Sequence, residues 1–531
     1  MTGRKRDVFG MWGLLATAGW FMTTASAMAA VDTCTPDSAW ADIAPLPAPR
    51  SSFASVMVDG NLYVLGGYES ATNQQTNTAF RYDIASDAWI ILPPPPGQHG
   101  IETQAAVWRG KIYWISGSLS NNVSIYDIAT NTWSAGADVP GLANQGVAGA
   151  FAGKVYVIGG GGGTNLRIYD IASNTWSTGP AAPRPVNYAG YRQVGQYLYV
   201  VGGYDYSTNS VRTDSFRLDM AYTPTYQTGP NFIGAHSGAG LAFLYGELYQ
   251  VGGFDGMFTA SSSVDAYPLG PWPGGTWAGS AFEPMPAAVA NGAAFARRTA
   301  TGGEMYTIGS QLDPTHSSAA ARRRTCSVPK GRLYCSNLAA PQPIPDGTYN
   351  GTLASMLKVT IDVPLAETTS AESVALRVKL SHGYAGDLVM KLRHPDGSDT
   401  IALLSQPGKA EANDGAGGGG TSAGLSAGYP IVFGDDAATD SEVMGYASGL
   451  AGTDTICRDD GYCRFRPSAG AIALPANFRV FRNLDPRGTW ELYVGDRDPF
   501  ATGNVSEACI ILDGDDDRLF YDGLEGVIAQ P

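Results

Sequence analysis

The chain has 531 residues, of which 15% are charged, and it carries a formal net charge of −14. This length is too great for a single hydrophobic core, so at least two domains are expected. The negative charge argues against general nucleic-acid binding, because phosphates would be repelled. The 68 glycines and the many aromatic residues favour short strands joined by tight turns rather than helices.

The first segment, residues 1–29, has the pattern of a secretory signal peptide. A basic start at residues 4–6 precedes an apolar stretch over residues 8–22, and an Ala-x-Ala cleavage site ends at Ala29. A membrane anchor is the alternative, but this stretch is short and contains glycines. We therefore expect an exported protein, extracellular, periplasmic or at the cell surface, with no membrane span in the mature chain.

A repeat follows within residues 30–338. Three octapeptides share a Tyr-Asp-Ile…Trp pattern, and their tryptophans Trp89, Trp133 and Trp176 are 44 and 43 residues apart. A period of this length indicates a solenoid or a propeller. Each unit has a strand that ends in a Gly-Gly pair or a close variant, and six such strands occur, at residues 61–68, 111–118, 154–161, 197–204, 247–254 and 304–311.

The sixth unit has no fourth strand of its own. The segment from Trp40 to Arg50 matches the end of the third unit, which runs from Trp176 into residues 179–185. We expect the N-terminal segment to supply the outer strand of the last unit, because ring closure of this kind removes a free sheet edge.

The Gly doublets and the Tyr…Trp pairs resemble the kelch family of β-propellers over about residues 38–338. The second unit departs from this pattern at Ser116, the sixth at Ser310, and the fourth has Phe216 and Tyr226 in place of the Tyr…Trp pair. The resemblance implies a six-bladed propeller in which the tryptophans pack between blades.

The pattern changes in residues 339–513. Five motifs, at residues 382–384, 386–388, 394–397, 433–436 and 488–492, resemble in order the P domain, or Homo B domain, that follows the catalytic domain of kexin- and furin-like proteases. The resemblance implies a jelly-roll-like β-sandwich that stabilises the rest of the protein or attaches it. It also implies an association with serine-type endopeptidases. The expected fold class is all-β: a six-bladed kelch-type propeller, this sandwich, and an acidic tail at residues 514–531.

Six cysteines are present, at Cys34, Cys326, Cys335, Cys457, Cys463 and Cys509. Export permits disulfide bonds, although the spacing alone leaves the pairing open. Cys457 and Cys463 flank a short turn, and Cys34 with Cys326 would staple the closing blade, which leaves Cys335 with Cys509. Zinc is disfavoured because no histidine lies at ligand spacing.

The candidate binding site is the propeller mouth, where loops enter the first strand and leave the second strand of each blade. These loops carry aromatic and mostly neutral polar residues: Arg50, Tyr68, His99, Gln145, Asn187, Tyr188, Tyr204, His236, Phe254 and Asn291. Such a ring suits a glycan or a peptide, through stacking and hydrogen bonds. The alternative for each residue is strand packing or turn formation.

No cofactor is evident, and calcium is the metal that the carboxylates favour. Asp387, Asp435, Asp436 and Asp496 lie at predicted loop edges and offer the oxygen ligands that Ca²⁺ prefers, with turn capping as the alternative. No catalytic triad or copper site is recognisable, so we expect a binding protein. The alternatives are an accessory of a secreted serine endopeptidase and a carbohydrate-active propeller enzyme.

Overall fold

The computed structural model describes residues 34–514, except positions 59, 142, 233, 235, 257–258, 271, 281, 300–301, 314–315 and 415–418. The predicted signal peptide and residues 515–531 of the predicted tail lie outside this part. Within it, no helix is long and apolar enough to cross a membrane. Its secondary structure consists of β-strands with short 3-10 turns.

The N-terminal two thirds of the described chain form short antiparallel strands. In chain order these are Thr35–Pro36 (β1), Ala41–Asp42 (β2), Ala54–Val58 (β3), Asn61–Leu65 (β4), Tyr68–Glu69 (β5), Gln74–Gln75 (β6), Ala79–Asp83 (β7), Ala88–Ile91 (β8), Gln104–Trp108 (β9), Lys111–Ile115 (β10), Val123–Asp127 (β11), Thr132–Gly136 (β12), Val147–Phe151 (β13), Lys154–Ile158 (β14), Leu166–Asp170 (β15), Thr175–Thr178 (β16), Gly190–Val194 (β17), Tyr197–Val201 (β18), Tyr204–Asp205 (β19), Ser210–Val211 (β20), Ser215–Asp219 (β21), Thr225–Thr228 (β22), Gly240–Leu244 (β23), Glu247–Val251 (β24), Val264–Pro268 (β25), Ala278–Gly279 (β26), Ala293–Thr299 (β27), Gly302–Asp313 (β28) and His316–Ser327 (β29).

These strands build six blades. Blades 1 to 5 are the four-stranded sheets β3-β4-β7-β8, β9 to β12, β13 to β16, β17-β18-β21-β22 and β23 to β26, and blade 6 contains β27, β28 and β29. The first strands of successive blades contact one another in the order β3, β9, β13, β17, β23, β27. A backbone hydrogen bond from Ser52 N to Asn291 O then joins blade 1 to blade 6, so the blades close into a six-bladed propeller.

The N-terminal segment completes blade 6, as the sequence predicts. Both β1 and β2 pair antiparallel with β29, with Thr35 opposite Ser327 and Ala41 opposite Arg323. The Cys34–Cys326 disulfide lies beside this pairing. The last blade therefore has an outer strand taken from the N-terminal segment, which joins the two ends of the ring.

The repeated tryptophan locks neighbouring blades together. The Trp133 ring centroid lies 4.9 Å from that of Tyr126, and its indole nitrogen donates to the Pro93 carbonyl, 2.8 Å away, on the connection from blade 1. Trp89 and Trp176 repeat both contacts, with the Ala44 and Ala137 carbonyls as acceptors. Each such aromatic pair contributes about 1 kcal/mol beyond its buried area. The repeated octapeptide is thus a scaffold element.

The C-terminal part is a β-sandwich. Its strands are Arg332–Cys335 (β30), Gln342–Pro343 (β31), Leu357–Val363 (β32), Val374–His382 (β33), Leu388–Arg393 (β34), Thr400–Ser405 (β35), Ile431–Phe433 (β36), Thr439–Asp440 (β37), Arg464–Arg466 (β38), Gly488–Asp496 (β39) and Gly503–Leu512 (β40), with 3-10 turns Leu353–Ser355 (η1), Ala385–Asp387 (η2), Ser441–Val443 (η3) and Phe478–Phe481 (η4).

Two sheets face each other in this sandwich. One has the order β32-β39-β34-β35, and the other contains β30, β31, β33, β36, β37, β38 and β40. Strand β32 alternates buried and exposed side chains, as a strand with one face on the core should. Trp490 is fully buried against Phe481 and His394, so two of the motifs noted in the sequence form core contacts.

The sandwich packs on the propeller face opposite the entering loops. The Arg109 side chain, in the turn between β9 and β10, donates to the Ser448 carbonyl at 2.7 Å, and Gln196, in the turn between β17 and β18, donates to Asp440 at 2.6 Å. Arg298 of β27 forms a buried ion pair with Asp436. These contacts lie away from the face that carries the entering loops.

Candidate ligand-binding site

A closed ring of backbone hydrogen bonds surrounds the propeller axis at the mouth. Each entering loop places one residue in the left-handed region, and these ring positions are Ser52 (φ 55°), Glu102 (61°), Gln145 (68°), Tyr188 (49°), Gly238 (62°) and Asn291 (50°). The N–H of each ring position donates to the carbonyl of the ring position in the preceding blade, at 2.7–3.1 Å. The ring fixes six equivalent points from which side chains can project.

A second set of six equivalent positions forms the rim. These rim positions follow the Gly pairs or their variants, and their N–H groups donate to the residue just before each ring position at 2.7–3.0 Å: Tyr68 to Ser51, Ser118 to Ile101, Gly161 to Asn144, Tyr204 to Asn187, Phe254 to Ser237 and Gln311 to Ala290. The Gly pairs permit this close approach, since a Cβ on Gly67 (φ 104°) would lie 2.7 Å from the Ser51 carbonyl oxygen.

The ring and rim enclose a cavity of about 590 Å³. Its lining residues are Ser51, Ser52, Tyr68, Ile101, Glu102, Tyr188, Tyr204, Tyr206, Ser237, Phe254, Asn291 and Gln311. Five of the predicted residues line this mouth cavity: Tyr68, Tyr188, Tyr204, Phe254 and Asn291. Gln145 lines a narrower cavity of about 190 Å³ that continues along the axis between the first strands.

The predictions for Arg50 and His99 are corrected by the structure, because neither lines the mouth cavity. Arg50 is 1% exposed and donates to the Gly66 carbonyl at 3.0 Å, and burial lowers its pKa to about 10. His99 is fully buried, stacked on Trp114 with centroids 4.0 Å apart, and burial lowers its pKa to about 4. Both side chains support blade backbone instead of facing a ligand.

Asn187 and His236 are likewise outside the mouth lining. The Asn187 side-chain oxygen accepts from the Gly162 N–H at 3.0 Å, and the residue is 1% exposed. His236 is partly buried and hydrogen-bonded to the Gly252 backbone, and burial lowers the pKa of its imidazole. Asn187 thus holds the leaving loop of the preceding blade and His236 that of its own blade, which is the packing role given above as the alternative to ligand contact.

Glu102 is the main residue that the sequence analysis missed. Its carboxylate accepts from the Asn144 amide at 3.0 Å, from the Gln145 amide at 2.9 Å and from the Tyr188 hydroxyl. The Gln145 side-chain oxygen in turn accepts from the Tyr206 hydroxyl at 2.9 Å. The signal was available, because Glu102 occupies the same position in its entering loop as Gln145 and Asn291 occupy in theirs.

Charge at the mouth comes from Glu102, and the narrower cavity below, which Glu102 also lines, contains Arg192. Glu102 is the one charged residue among the described residues that line the mouth cavity. Its three donors within the network are all neutral. Burial, together with the hydrogen bond to Glu102 and its charge, raises the pKa of Tyr188 well above the usual range. Tyr188 is therefore a neutral hydrogen-bond donor beside the Glu102 carboxylate.

The four aspartates proposed for calcium are divided into two pairs by their partners. Burial opposes ionisation of Asp436, but the Arg464 and Arg298 guanidiniums hold its pKa well below the usual range. Asp435 accepts backbone N–H groups of η4, at 2.9 Å from Phe478 N, and burial raises its pKa to about 6. The contacts of these two aspartates are therefore those of fold-stabilising residues, which is the alternative to calcium binding given above.

The second pair lies at a different point of the sandwich. Asp496 is fully buried and its carboxylate lies 3.1 Å from His382 Nε2, while burial and the nearby Asp498 and Asp496 raise the pKa of Asp387 to about 6. Among the described residues, one group of three ligand atoms lies close enough to share a metal, at Cys335, Glu507 and Cys509. Its two cysteines form a disulfide, so their thiolates are not available.

Comparison with known proteins agrees with this architecture. A family profile described as "Kelch motif" matches residues 49–96, which cover blade 1. The chain is similar to a kelch-like protein, terF, of Aspergillus terreus, with 28% identity over 116 residues that are 19% of this chain and 25% of that protein. It is also similar to an N-acetylneuraminate epimerase of Haemophilus influenzae, with 32% identity over 96 residues, 17% of this chain and 25% of that protein.

A solved structure described as "Structure of YjhT" is similar at 17% identity and a TM-score of 0.45, and covers 52% of this chain and 95% of that chain. The chain spans about a quarter of the length of the two curated relatives named above. Together with the strands described, the kelch motif defines an all-β protein with a kelch-type six-bladed propeller and a β-sandwich.

Proposed function

We propose that this chain is an exported binding protein whose propeller mouth holds a neutral glycan. The observation that carries the proposal is the lining of the mouth cavity, with five aromatic side chains around neutral hydroxyl and amide groups. Aromatic faces stack against the C–H faces of sugar rings, and amides and hydroxyls exchange hydrogen bonds with sugar hydroxyls. A volume of about 590 Å³ is ample for one or two sugar rings.

Charge favours a neutral sugar over an acidic one. N-acetylneuraminate, named in the description of one relative, is an anion. Sites for carboxylates use arginine or lysine, and the described mouth lining has neither. The carboxylate of Glu102 would instead repel an acidic sugar and accept hydrogen bonds from the hydroxyls of a neutral one.

The sandwich would stabilise or attach the propeller, as the P-domain resemblance implies. Its contacts on the face opposite the mouth support that role, because Arg298 and Arg109 tie blades 6 and 2 to it without touching the ligand cavity. Export is supported by the pairing of all six cysteines into three disulfides, Cys34–Cys326, Cys335–Cys509 and Cys457–Cys463, which suit an oxidising compartment.

A glycan array followed by calorimetry tests the proposal. We expect binding of a neutral glycan that is lost in the triple variant Tyr68→Ala/Tyr204→Ala/Phe254→Ala. Tyr429→Ala is the matched control, because Tyr429 is 42% exposed on the sandwich. A wild-type chain that binds no neutral glycan, or a triple variant that folds and binds as well as wild type, would refute the mouth as a glycan site.

A carbohydrate-active enzyme is the second candidate, favoured by one specific observation. The Glu102 carboxylate and the Tyr188 hydroxyl are hydrogen-bonded within the mouth, and acid–base catalysis at a sugar needs such a paired acceptor and donor. NMR of a bound reducing sugar would show faster exchange of its anomers with wild type than with Glu102→Gln if the pair were catalytic. Equal exchange rates would leave binding as the function.

A further inference from the structure

The rim of the mouth is low on one side. The six rim positions hold aromatic residues in blades 1, 4 and 5 and a glutamine in blade 6, but Ser118 and Gly161 in blades 2 and 3. Blades 2 and 3 are adjacent in the ring. The six positions are equivalent in their backbone hydrogen bonds, so the difference lies in side-chain size alone at each point. The rim therefore has large side chains in four blades and one continuous gap, two blades wide, where the side chains are small or absent.

The lengths of the leaving loops show the same asymmetry independently. Between the last paired residues of the second and third strands, the loops have 13 residues in blade 1 (66–78) and 13 in blade 4 (202–214). That of blade 5 has 12 residues (252–263), and in blade 6 the second and third strands continue past the Ile308–Ala321 pair as an extended hairpin that stays paired to Asp313–His316. Blades 2 and 3 have 7 residues each (116–122 and 159–165).

The leaving loops of blades 1 and 4 are stabilised by their own hydrogen bonds. In blades 1 and 4 the leaving loop forms an extra hairpin, β5–β6 and β19–β20. The Tyr68 hydroxyl donates to the Asn73 side chain at 2.5 Å, and Tyr204 repeats this contact with Asn209. In a six-bladed ring, blades 1 and 4 are opposite each other. The two tyrosines thus stand on opposed walls with fixed orientation, and the gap lies between them on one side.

We propose that the mouth binds one end of a neutral oligosaccharide chain and that the rest of the chain leaves across the low rim of blades 2 and 3. This inference rests on the proposed glycan-binding function. The terminal sugar would lie over Glu102 and Tyr188, within reach of the opposed tyrosines. The following sugars would cross Ser118, Leu119 and the glycine run at 161–163, a surface that has no charged side chain.

The surface in the gap suits such a chain. Leu119 is 53% exposed in the blade 2 loop, and Tyr206, also 53% exposed, leans from blade 4 to hydrogen-bond Gln145 of blade 3. A Cβ on Gly162 would meet no atom within 4 Å, so the backbone there is open to a ligand. An apolar and an aromatic side chain beside open backbone can hold sugar faces, whereas a peptide would also require pockets for its side chains.

The test is affinity as a function of chain length, measured with gluco-, manno- and N-acetylgluco-oligosaccharides of graded length. With wild type, affinity for the bound series should rise by at least about tenfold from monosaccharide to trisaccharide. Ser118→Tyr places on the blade 2 rim the side chain that Tyr68 has in blade 1. It should reduce trisaccharide affinity by about tenfold and leave monosaccharide affinity within about twofold. Ser134→Tyr, on the exposed outer strand of the same blade, is the control.

The outcomes separate the inference from the function on which it rests. Glycan binding that is independent of chain length, or that Ser118→Tyr weakens equally for all lengths, would overturn the inference and leave the function intact. No binding of any neutral glycan would overturn both, as would binding of neutral peptides alone.

Leu119→Trp provides a second measurement that does not depend on blocking the gap. The emission of this new tryptophan should change on saturation with trisaccharide and stay constant with monosaccharide. Unchanged emission with a bound trisaccharide would place the chain elsewhere and overturn the inference.

Discussion

Glu442 should make the protein less stable as the pH rises above its ordinary pKa. Its Oε2 atom is buried without a hydrogen-bond partner in the described structure, in the 3-10 turn η3. Burial, with the nearby carboxylates Glu411 and Asp440, raises its pKa from the usual 4.5 to about 8. The neutral isostere in Glu442→Gln removes the ionisation, and its amide can donate to a neighbouring carboxylate.

The sign follows from the raised pKa. Below pH 4.5 the carboxyl is protonated in both the folded and unfolded states, so it makes no pH-dependent contribution. Between pH 4.5 and about 8 the unfolded chain releases a proton that the folded chain keeps, which disfavours folding progressively. Each pH unit in this window lowers the free energy of unfolding by about 1.4 kcal/mol, so the destabilisation at pH 7.5 has an upper limit of ~4 kcal/mol. Partial contact with water reduces this, and we expect about 2 kcal/mol.

Urea unfolding at pH 5.0 and pH 7.5 measures the effect. Glu442→Gln should be more stable than wild type at pH 7.5 by about 2 kcal/mol and nearly equal to it at pH 5.0. Glu372→Gln removes the same charge from an exposed position and serves as the control. A stability gain that is equal at both pH values, or shared by the control, would refute the assignment of the cost to buried Glu442.

The remaining predictions concern the scaffold. Asp436→Asn should cost about 3–5 kcal/mol in urea unfolding, more than Arg298→Met, because it leaves two buried guanidiniums without their anion. If Asp436→Asn and Arg298→Met cost the same, the buried cluster would not be as described. Because the pKa of Asp436 is lowered in the folded state, the wild type should lose this stabilisation as the pH falls below about 4. Replacing both Cys34 and Cys326 with serine should lower the free energy of unfolding by about 3–5 kcal/mol, because the disulfide joins positions 292 residues apart. A double variant that unfolds like the oxidised wild type would refute this. Trp133→Phe should cost about 1–2 kcal/mol in thermal unfolding through the lost bond to Pro93, and no change in Tm would contradict the interblade lock.

The sequence predicted the scaffold well because the scaffold repeats. Each strand end, Gly pair and Tyr…Trp pair recurs in several repeats. One repeat that departs from the pattern, such as the fourth with Phe216 and Tyr226, therefore does not hide the period. The strand donated around Trp40 was also predictable, because one unit lacked a strand that all the others have. Local spacing and turn chemistry are sufficient for such features.

The site was predicted less well because position in a loop does not determine where a side chain points. Arg50, His99 and Glu102 all lie in entering loops, yet the first two turn into the blade and only Glu102 faces the mouth. The difference is set by position relative to the left-handed residue: the side chain of that residue projects toward the axis, whereas residues two or three positions earlier pack below the leaving loop. The left-handed conformation is a property of the backbone, and the presence of a glutamate or a glutamine in the sequence does not predict it.

The ring positions carry a backbone strain that the contacts of their side chains have to offset. Glycine adopts the left-handed region without steric cost, whereas another residue there costs about 1 kcal/mol. Gly238 is the one glycine in the ring, and a Cβ on it would overlap the side-chain oxygen of Asn291. The other five positions keep side chains in spite of the strain, and Glu102 and Tyr188 join theirs across the ring. The hydrogen bonds that join Glu102, Gln145 and Tyr188 offset part of this strain, and they also hold these side chains at the mouth, where the proposed glycan would meet them.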